Sequence, residues 1–99
     1  MQFIFEKGKL NVLDDDGNWV GDIAFPFVDE DKSLAVIERV FVVPAARGTG
    51  LAGKMMEKLV DHAEKAGLQF KLMCPYAKQW FAKHPEKQHL LPPTDRLNS

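Results

Sequence analysis

The sequence predicts an α+β domain: a mostly antiparallel sheet, one parallel strand–helix–strand crossover over residues 34–73, and a C-terminal helix. Three observations predict it. As far as Val43, apolar residues alternate with polar ones or run in short β-branched stretches. After Gly50 the apolar period lengthens to that of a helix. Beyond Gly67 a short apolar run leads to a proline that suits the first turn of a second helix.

The elements follow in order. Residues 3–13 hold two extended runs divided by Gly8. Asp14-Asp15-Asp16-Gly17-Asn18 is a turn in which Gly17 supplies the positive φ of a hairpin. Three aspartates in a row could suggest calcium. No glutamate follows at EF-hand spacing, so a solvated turn is the simpler reading. Residues 19–28 read as a third strand, in which Pro26 marks an edge or a bend because it cannot donate to a ladder. Residues 29–33 form a second polar turn. LAVIERVFVV, residues 34–43, reads as a central strand that Pro44 ends.

A helix is predicted over 49–66. Leu51, Ala52, Met55, Met56, Leu59, Val60 and Ala63 form its apolar stripe, and Gly67 stops it. A strand follows over 69–73, and by a right-handed crossover it should lie parallel to 34–43. Cys74 is the N-cap of the second helix, with Pro75 at its first position and Pro85 as its limit. Tyr76, Ala77, Trp80 and Phe81 are its predicted buried face. The polar tail, residues 92–99, is expected to fray.

Ninety-nine residues leave room for one domain, spanning 1–99. No run approaches the roughly 18 apolar residues of a membrane span. The first ten residues lack the pattern of a secretory signal, so the cytoplasm is the default compartment. The single cysteine, Cys74, excludes a disulfide framework and a Cys-rich zinc site. Three histidines without metal-ligand spacing leave no metal expected. The net charge of −1 hides an asymmetry. Residues 1–46 carry a net −5 and residues 47–99 a net +4, so the second half suits an anionic ligand. The basic face is too sparse for duplex nucleic acid.

The segment Pro44-Ala45-Ala46-Arg47-Gly48-Thr49-Gly50-Leu51-Ala52-Gly53-Lys54 fits three glycine motifs at once. All three share one physics: glycines let the backbone approach a phosphate, and the N–H groups of a helix N-terminus hold it. Read as G-x-G-x-x-G, it lacks an acid at the end of the next strand and the further strand–helix units a dinucleotide fold needs. Read as a P-loop, it has Met55 where a magnesium-binding Ser or Thr belongs. Read as R-x-x-G-x-A through Arg47, Gly50 and Ala52, nothing in its context conflicts with it.

Here a family resemblance enters. Val42 to Ala52, following a strand and opening an amphipathic helix, resembles the acetyl-CoA loop of the GCN5-related N-acetyltransferases. Cys74-Pro75-Tyr76 and the run Trp80 to Glu86 resemble the small single-domain branch of that superfamily. The resemblance covers about residue 2 to Leu91. It implies a truncated form of that fold and acetyl-CoA as cosubstrate. Backbone N–H groups of Arg47, Gly48, Thr49, Gly50, Leu51 and Ala52 would hold the pyrophosphate. The strand edge at Phe41, Val42 and Val43 would pair with the pantetheine arm, where the two parallel strands splay apart. The activity implied is acetyl transfer to a small-molecule amine or a protein lysine. A CoA-binding module without turnover is the alternative, because the two helices that help bind the acceptor in longer members are missing. The acceptor site should therefore be open, or completed by a partner.

Charge and position, rather than the resemblance, make Lys78 a phosphate partner beside Arg47. Cys74 is the candidate nucleophile, since helix N-termini favour thiolates and the small-branch resemblance points to it; an inert buried cysteine is the other reading. Tyr76 is the candidate acid for the departing thiolate, as the resemblance implies; packing against Trp80 is its alternative. His84, beside Pro85, reads as a helix cap, and His62 as a solvated side chain. Glu38 and Arg39 are out of place in an apolar strand, and one of them should face the cleft. Glu38 could then be a general base, or a partner in an ion pair on the strand face.

Overall fold

The computed structural model describes residues 1–96. A hairpin and a third strand come first: β1 (Gln2–Glu6), β2 (Lys9–Leu13) and β3 (Trp19–Ala24). The turn between β2 and β3 forms because the Asp14 carboxylate accepts from the N–H groups of Asp16 at 2.9 Å and Asn18 at 2.8 Å. Gly17 there takes a φ of 82°, which an L side chain resists.

The strand expected over 19–28 breaks. Pro26 has no N–H to give, and the chain changes partners there. Phe25 donates to the Gly8 carbonyl at 2.8 Å, whereas the Pro26 carbonyl accepts from Val36 at 2.9 Å. β4 (Phe27–Asp29) therefore belongs to a second sheet. The strand expected over 34–43 breaks in the same way, at Glu38, into β5 (Leu34–Ile37) and β6 (Arg39–Val42). Glu38 N–H reaches back to the Ala24 carbonyl at 2.9 Å. Both crossings lie side by side, so the fold is two sheets rather than one. The first has the order β1-β2-β3-β6 and is antiparallel throughout. The second has the order β4-β5-β7, where β7 is Gln69–Leu72. β5 and β7 are parallel, from Leu34 opposite Gln69 to Ile37 opposite Leu72, as the predicted crossover requires.

Helix α1 (Leu51–Ala66) makes that crossover. It starts two residues later than expected, because the Thr49 hydroxyl is turned back to the Ala46 carbonyl at 2.7 Å and Gly50 is left-handed, with a φ of 82°. Gly67, also left-handed, ends it. Leu51, Met55, Met56, Leu59, Val60 and Ala63 are buried against the sheets. The close fit shows at Gly21 of β3. A Cβ there would lie 2.6 Å from the Phe41 carbonyl oxygen and 3.3 Å from the Met55 methyl. The Phe25 ring, from the break after β3, meets Phe70 of β7 edge-on at 6.1 Å in the core.

Helix α2 (Pro75–Lys83) buries Ala77, Trp80 and Phe81. Tyr76 was expected with them but is 37% exposed, because it lies about 100° round the helix from Ala77, at the margin of that face. On the face away from α1, Asp22 is buried and held by Arg39, Nε to Oδ1 at 2.8 Å and Nη2 to Oδ2 at 2.7 Å. Of the tail expected to fray, Arg96 Nε donates to the Leu91 carbonyl at 2.9 Å, and Asp95 accepts from Lys71 Nζ at 3.1 Å. Residues 97–99 lie outside the described residues.

Candidate active site

The two parallel strands part at a single oxygen. The Ile37 carbonyl accepts from both Met73 N–H at 3.0 Å and Cys74 N–H at 3.1 Å. Beyond it the chain leaves for the other sheet through Glu38, and α2 begins after Cys74. β6 is the last strand of its sheet, so its edge away from β3 is unpaired, whereas β7 is paired with β5 as far as Leu72 and the chain turns away beyond it. Val43 N–H donates to Val20 at 2.9 Å. Backbone alternation then turns the N–H and C=O of Val42 toward the open edge. The splay implied by the resemblance is thus present, with Phe41, Val42 and Val43 on its rim.

The glycine loop adjoins this edge. Gly48 and Gly50 have φ of 80° and 82°, and no atom lies within 4 Å of where a Cβ would stand on either. Backbone conformation calls for glycine here, and the space outside the loop is open. The first amides of α1 receive no side-chain cap. A cavity of about 160 Å³ lies against them, lined by Val42, Arg47, Gly48, Gly50, Leu51 and Tyr76 among others. The Arg47 guanidinium stands over the Phe41 ring, 5.6 Å from its centroid. These open amides, one arginine and a free strand edge fit an anionic ligand with an extended amide-bearing arm.

Of the candidate acids and nucleophiles, Tyr76 reaches this cavity and Cys74 does not line it. A Cβ on Gly53 would lie 3.7 Å from the Tyr76 hydroxyl. Gly53 lets the phenol sit close to α1, a role visible in the third glycine of the motif but not assigned to it from sequence. Burial pushes the Tyr76 phenol above its ordinary value of 10, and the neighbouring Cys74 adds to the effect. Tyr76 therefore holds its proton through neutral pH. Cys74 does precede α2 in extended conformation, as predicted, but its side chain makes no capping hydrogen bond and only 6% of the residue is exposed.

Lys78 is not brought to the loop. It lies about 200° round α2 from Tyr76 and lines a separate cavity on the far side. Arg39 is committed to Asp22, which raises its affinity for its proton. Glu38 is exposed at the strand break, with no partner for its carboxylate among the described residues. His84 caps α2 as expected, its Nδ1 2.7 Å from the Trp80 carbonyl and its ring stacked on Trp80 at 3.8 Å. His62 is not merely solvated; it stacks on Phe5 at 4.0 Å. Among the described residues, no group of three or more His, Cys, Asp or Glu is placed to hold a metal ion. No helix among them is long and apolar enough to cross a membrane.

Known proteins share this chain's family and fold. A family profile described as GCN5-related N-acetyl-transferase matches residues 10–90. The fold is similar to the solution structure of a GCN5-like protein from Staphylococcus aureus, with a TM-score of 0.67 and 24% identity over 92% of this chain and 87% of that one. It is also similar to Tetrahymena GCN5, with a TM-score of 0.63 and 19% identity over 76% of this chain and 48% of that one. N-acetylglutamate synthase from Neisseria gonorrhoeae, solved with coenzyme A and N-acetyl-glutamate, gives a TM-score of 0.60 and 20% identity over 78% of this chain and 18% of that one. No curated protein sequence matches the chain significantly. With 81 consecutive residues under one family profile, the chain belongs to the GCN5-related N-acetyltransferases.

Proposed function

We propose that the protein binds acetyl-CoA in the gap between β6 and β7 and transfers the acetyl group to an amine. The observation that carries this is the adjacency of an open, splayed strand edge to the uncapped N-terminus of α1. The amides from Arg47 to Ala52 and the Arg47 guanidinium hold the pyrophosphate. The Val42 N–H on the open edge pairs with the pantetheine arm, while the Val42 carbonyl is held by Arg47; this sets the thioester at the level of Ile37 and Cys74. The acceptor nitrogen forms a bond to the acetyl carbonyl carbon, and the carbon–sulfur bond breaks with its electron pair going to sulfur. The nitrogen's surplus proton passes to Glu38, directly or through water. Tyr76 gives its proton to the leaving sulfur, so that an amide and a free CoA thiol result. The mechanism needs no covalent intermediate on the protein.

Thermal denaturation with CoA, followed by incubation with labelled acetyl-CoA and a panel of amines, tests the proposal. CoA at 100 times its Kd should stabilise the fold by about 2.7 kcal/mol. Transfer to at least one amine is the expected result. Binding without transfer, and without label on the protein, would make it an acyl-CoA-binding module instead. The absence of any thermal shift would remove the CoA site altogether.

A further inference from the structure

The face of the sheets away from α1 carries a second cavity, of about 750 Å³. Three observations give it a ligand. The first is its place. Val36 of β5 and Leu72 of β7 line it, and they belong to the last two residue pairs before the strands part. Its inner end therefore meets the gap from the side opposite the glycine loop. The second is its apolar wall. Met73 and Val28, at 63% and 56% exposed, are large apolar side chains left open to water, and both line this cavity with Phe81 and Leu91. Single exposed apolar residues are ordinary, but exposed residues converging on one cavity mark a binding surface. Methionine adapts its shape to what it meets. The third is charge. Lys71 is paired with Asp95 at 3.1 Å, whereas Lys78 has no carboxylate partner among the described residues. One unmatched cation thus stands on an apolar cavity.

We propose that this cavity receives the acceptor, and that the acceptor is a primary amine on an apolar body ending in a carboxylate. The proposal rests on the acetyl-transfer reading above. The carboxylate meets Lys78, the apolar body lies along Val28, Leu72 and Met73, and the amine reaches the gap at Ile37. A polycationic amine is disfavoured, because its second charge would meet the unmatched Lys78. The transfer step is the one already written, with the nitrogen's surplus proton leaving as the amide forms and the sulfur taking its own from Tyr76.

Protein labelled at its methionine methyls reports binding directly, with Met73→Leu assigning the Met73 signal. The probes are ω-aminooctanoate, octanoate, octylamine and diaminooctane. We expect ω-aminooctanoate and octanoate to shift the Met73 methyl without CoA, and octylamine and diaminooctane to bind at least tenfold more weakly. With acetyl-CoA present, ω-aminooctanoate should be acetylated. Lys78→Glu should abolish the preference for a carboxylate and leave the CoA thermal shift intact. No Met73 shift with any probe would overturn the proposal, as would equal binding of octylamine or diaminooctane. Loss of CoA binding in Lys78→Glu would return that lysine to the phosphates and overturn it too. A Met73 shift with ω-aminooctanoate but no acetyl transfer to any amine would instead sink the acetyl-transfer reading and leave the ligand class standing.

Discussion

Arg47 Nε donates to the Val42 carbonyl at 2.8 Å, which ties the glycine loop to the open strand edge. One side chain thereby links the two surfaces that hold the two ends of the proposed cosubstrate. It leaves the remaining guanidinium nitrogens for a phosphate. Arg47→Ala should weaken CoA binding about tenfold, since a charge-assisted contact is lost. Titration calorimetry at low and high ionic strength checks this. The parent's affinity should fall with salt, and the variant's should fall less steeply. Equal salt dependence would mean that Arg47 touches no phosphate.

Gly50 calls for glycine through its φ of 82°, not through crowding. Gly50→Val should therefore strain the loop by roughly 1–2 kcal/mol and abolish CoA binding while the sheets still form. Gly50→Asn should keep much of the binding, because asparagine enters the left-handed region more readily. Circular dichroism and CoA titration together separate loop damage from unfolding.

Tyr76 holds its proton to above its ordinary value of 10. A raised value keeps the phenol a donor throughout the neutral range. The rate profile should therefore show no loss of activity from this group until the pH exceeds 10. Tyr76→Phe should lower kcat by about a hundredfold with CoA affinity unchanged. An undiminished kcat in Tyr76→Phe would assign the proton to solvent.

Cys74 is buried and lines neither the loop cavity nor the larger one. Cys74→Ala should transfer acetyl at close to the parental rate, with a lower Tm from the core volume it removes. Mass spectrometry of the parent after acetyl-CoA should find no acetyl on this residue. A stable thioester at Cys74, together with an inactive alanine variant, would install the covalent route in place of direct attack.

Glu64 of α1 gathers Lys87 Nζ at 3.0 Å and His89 Nε2 at 3.0 Å. The hydrogen bond from Lys87, followed by that from His89, holds its carboxyl below the ordinary 4.5. A group lowered on folding stabilises above its unfolded value and loses that contribution as the pH falls through the folded one. Glu64→Gln should thus lower the Tm at neutral pH, and the gap between variant and parent should narrow as the pH falls below the ordinary 4.5. A gap that persists in acid would mean that the amide disturbs packing rather than charge.

Much of this architecture is legible in the sequence, and the failures are of one kind. The Asp-Gly turn, the stripe of α1, Gly67 and the Cys74-Pro75 start of α2 all rest on local chemistry, which a short window contains. The two strand breaks do not. LAVIERVFVV is β-branched on both sides of Glu38, so propensity alone runs straight through it. What stops the strand is the Ala24 carbonyl, fourteen residues away, taking Glu38's N–H. At the site the loop was readable because glycine marks its own backbone. Lys78 was misplaced because its charge fitted the role while its position on α2, about 200° from Tyr76, did not. The larger cavity had no sequence signal, since its walls come from β4, β5, β7 and α2 together.

The Ile37 carbonyl, with two amides on one oxygen, has a consequence for how a ligand arrives. The main chain itself keeps the sheets apart, through the two amides held by the Ile37 carbonyl. An incoming ligand finds no ladder to unzip, and the cost of separating the strands was met when the chain folded. Association should then resemble docking into a rigid notch rather than an opening followed by capture. The wedge is also made of backbone atoms alone, so side chains on either rim can change without closing it. Ligand choice can drift over generations while the aperture keeps its shape.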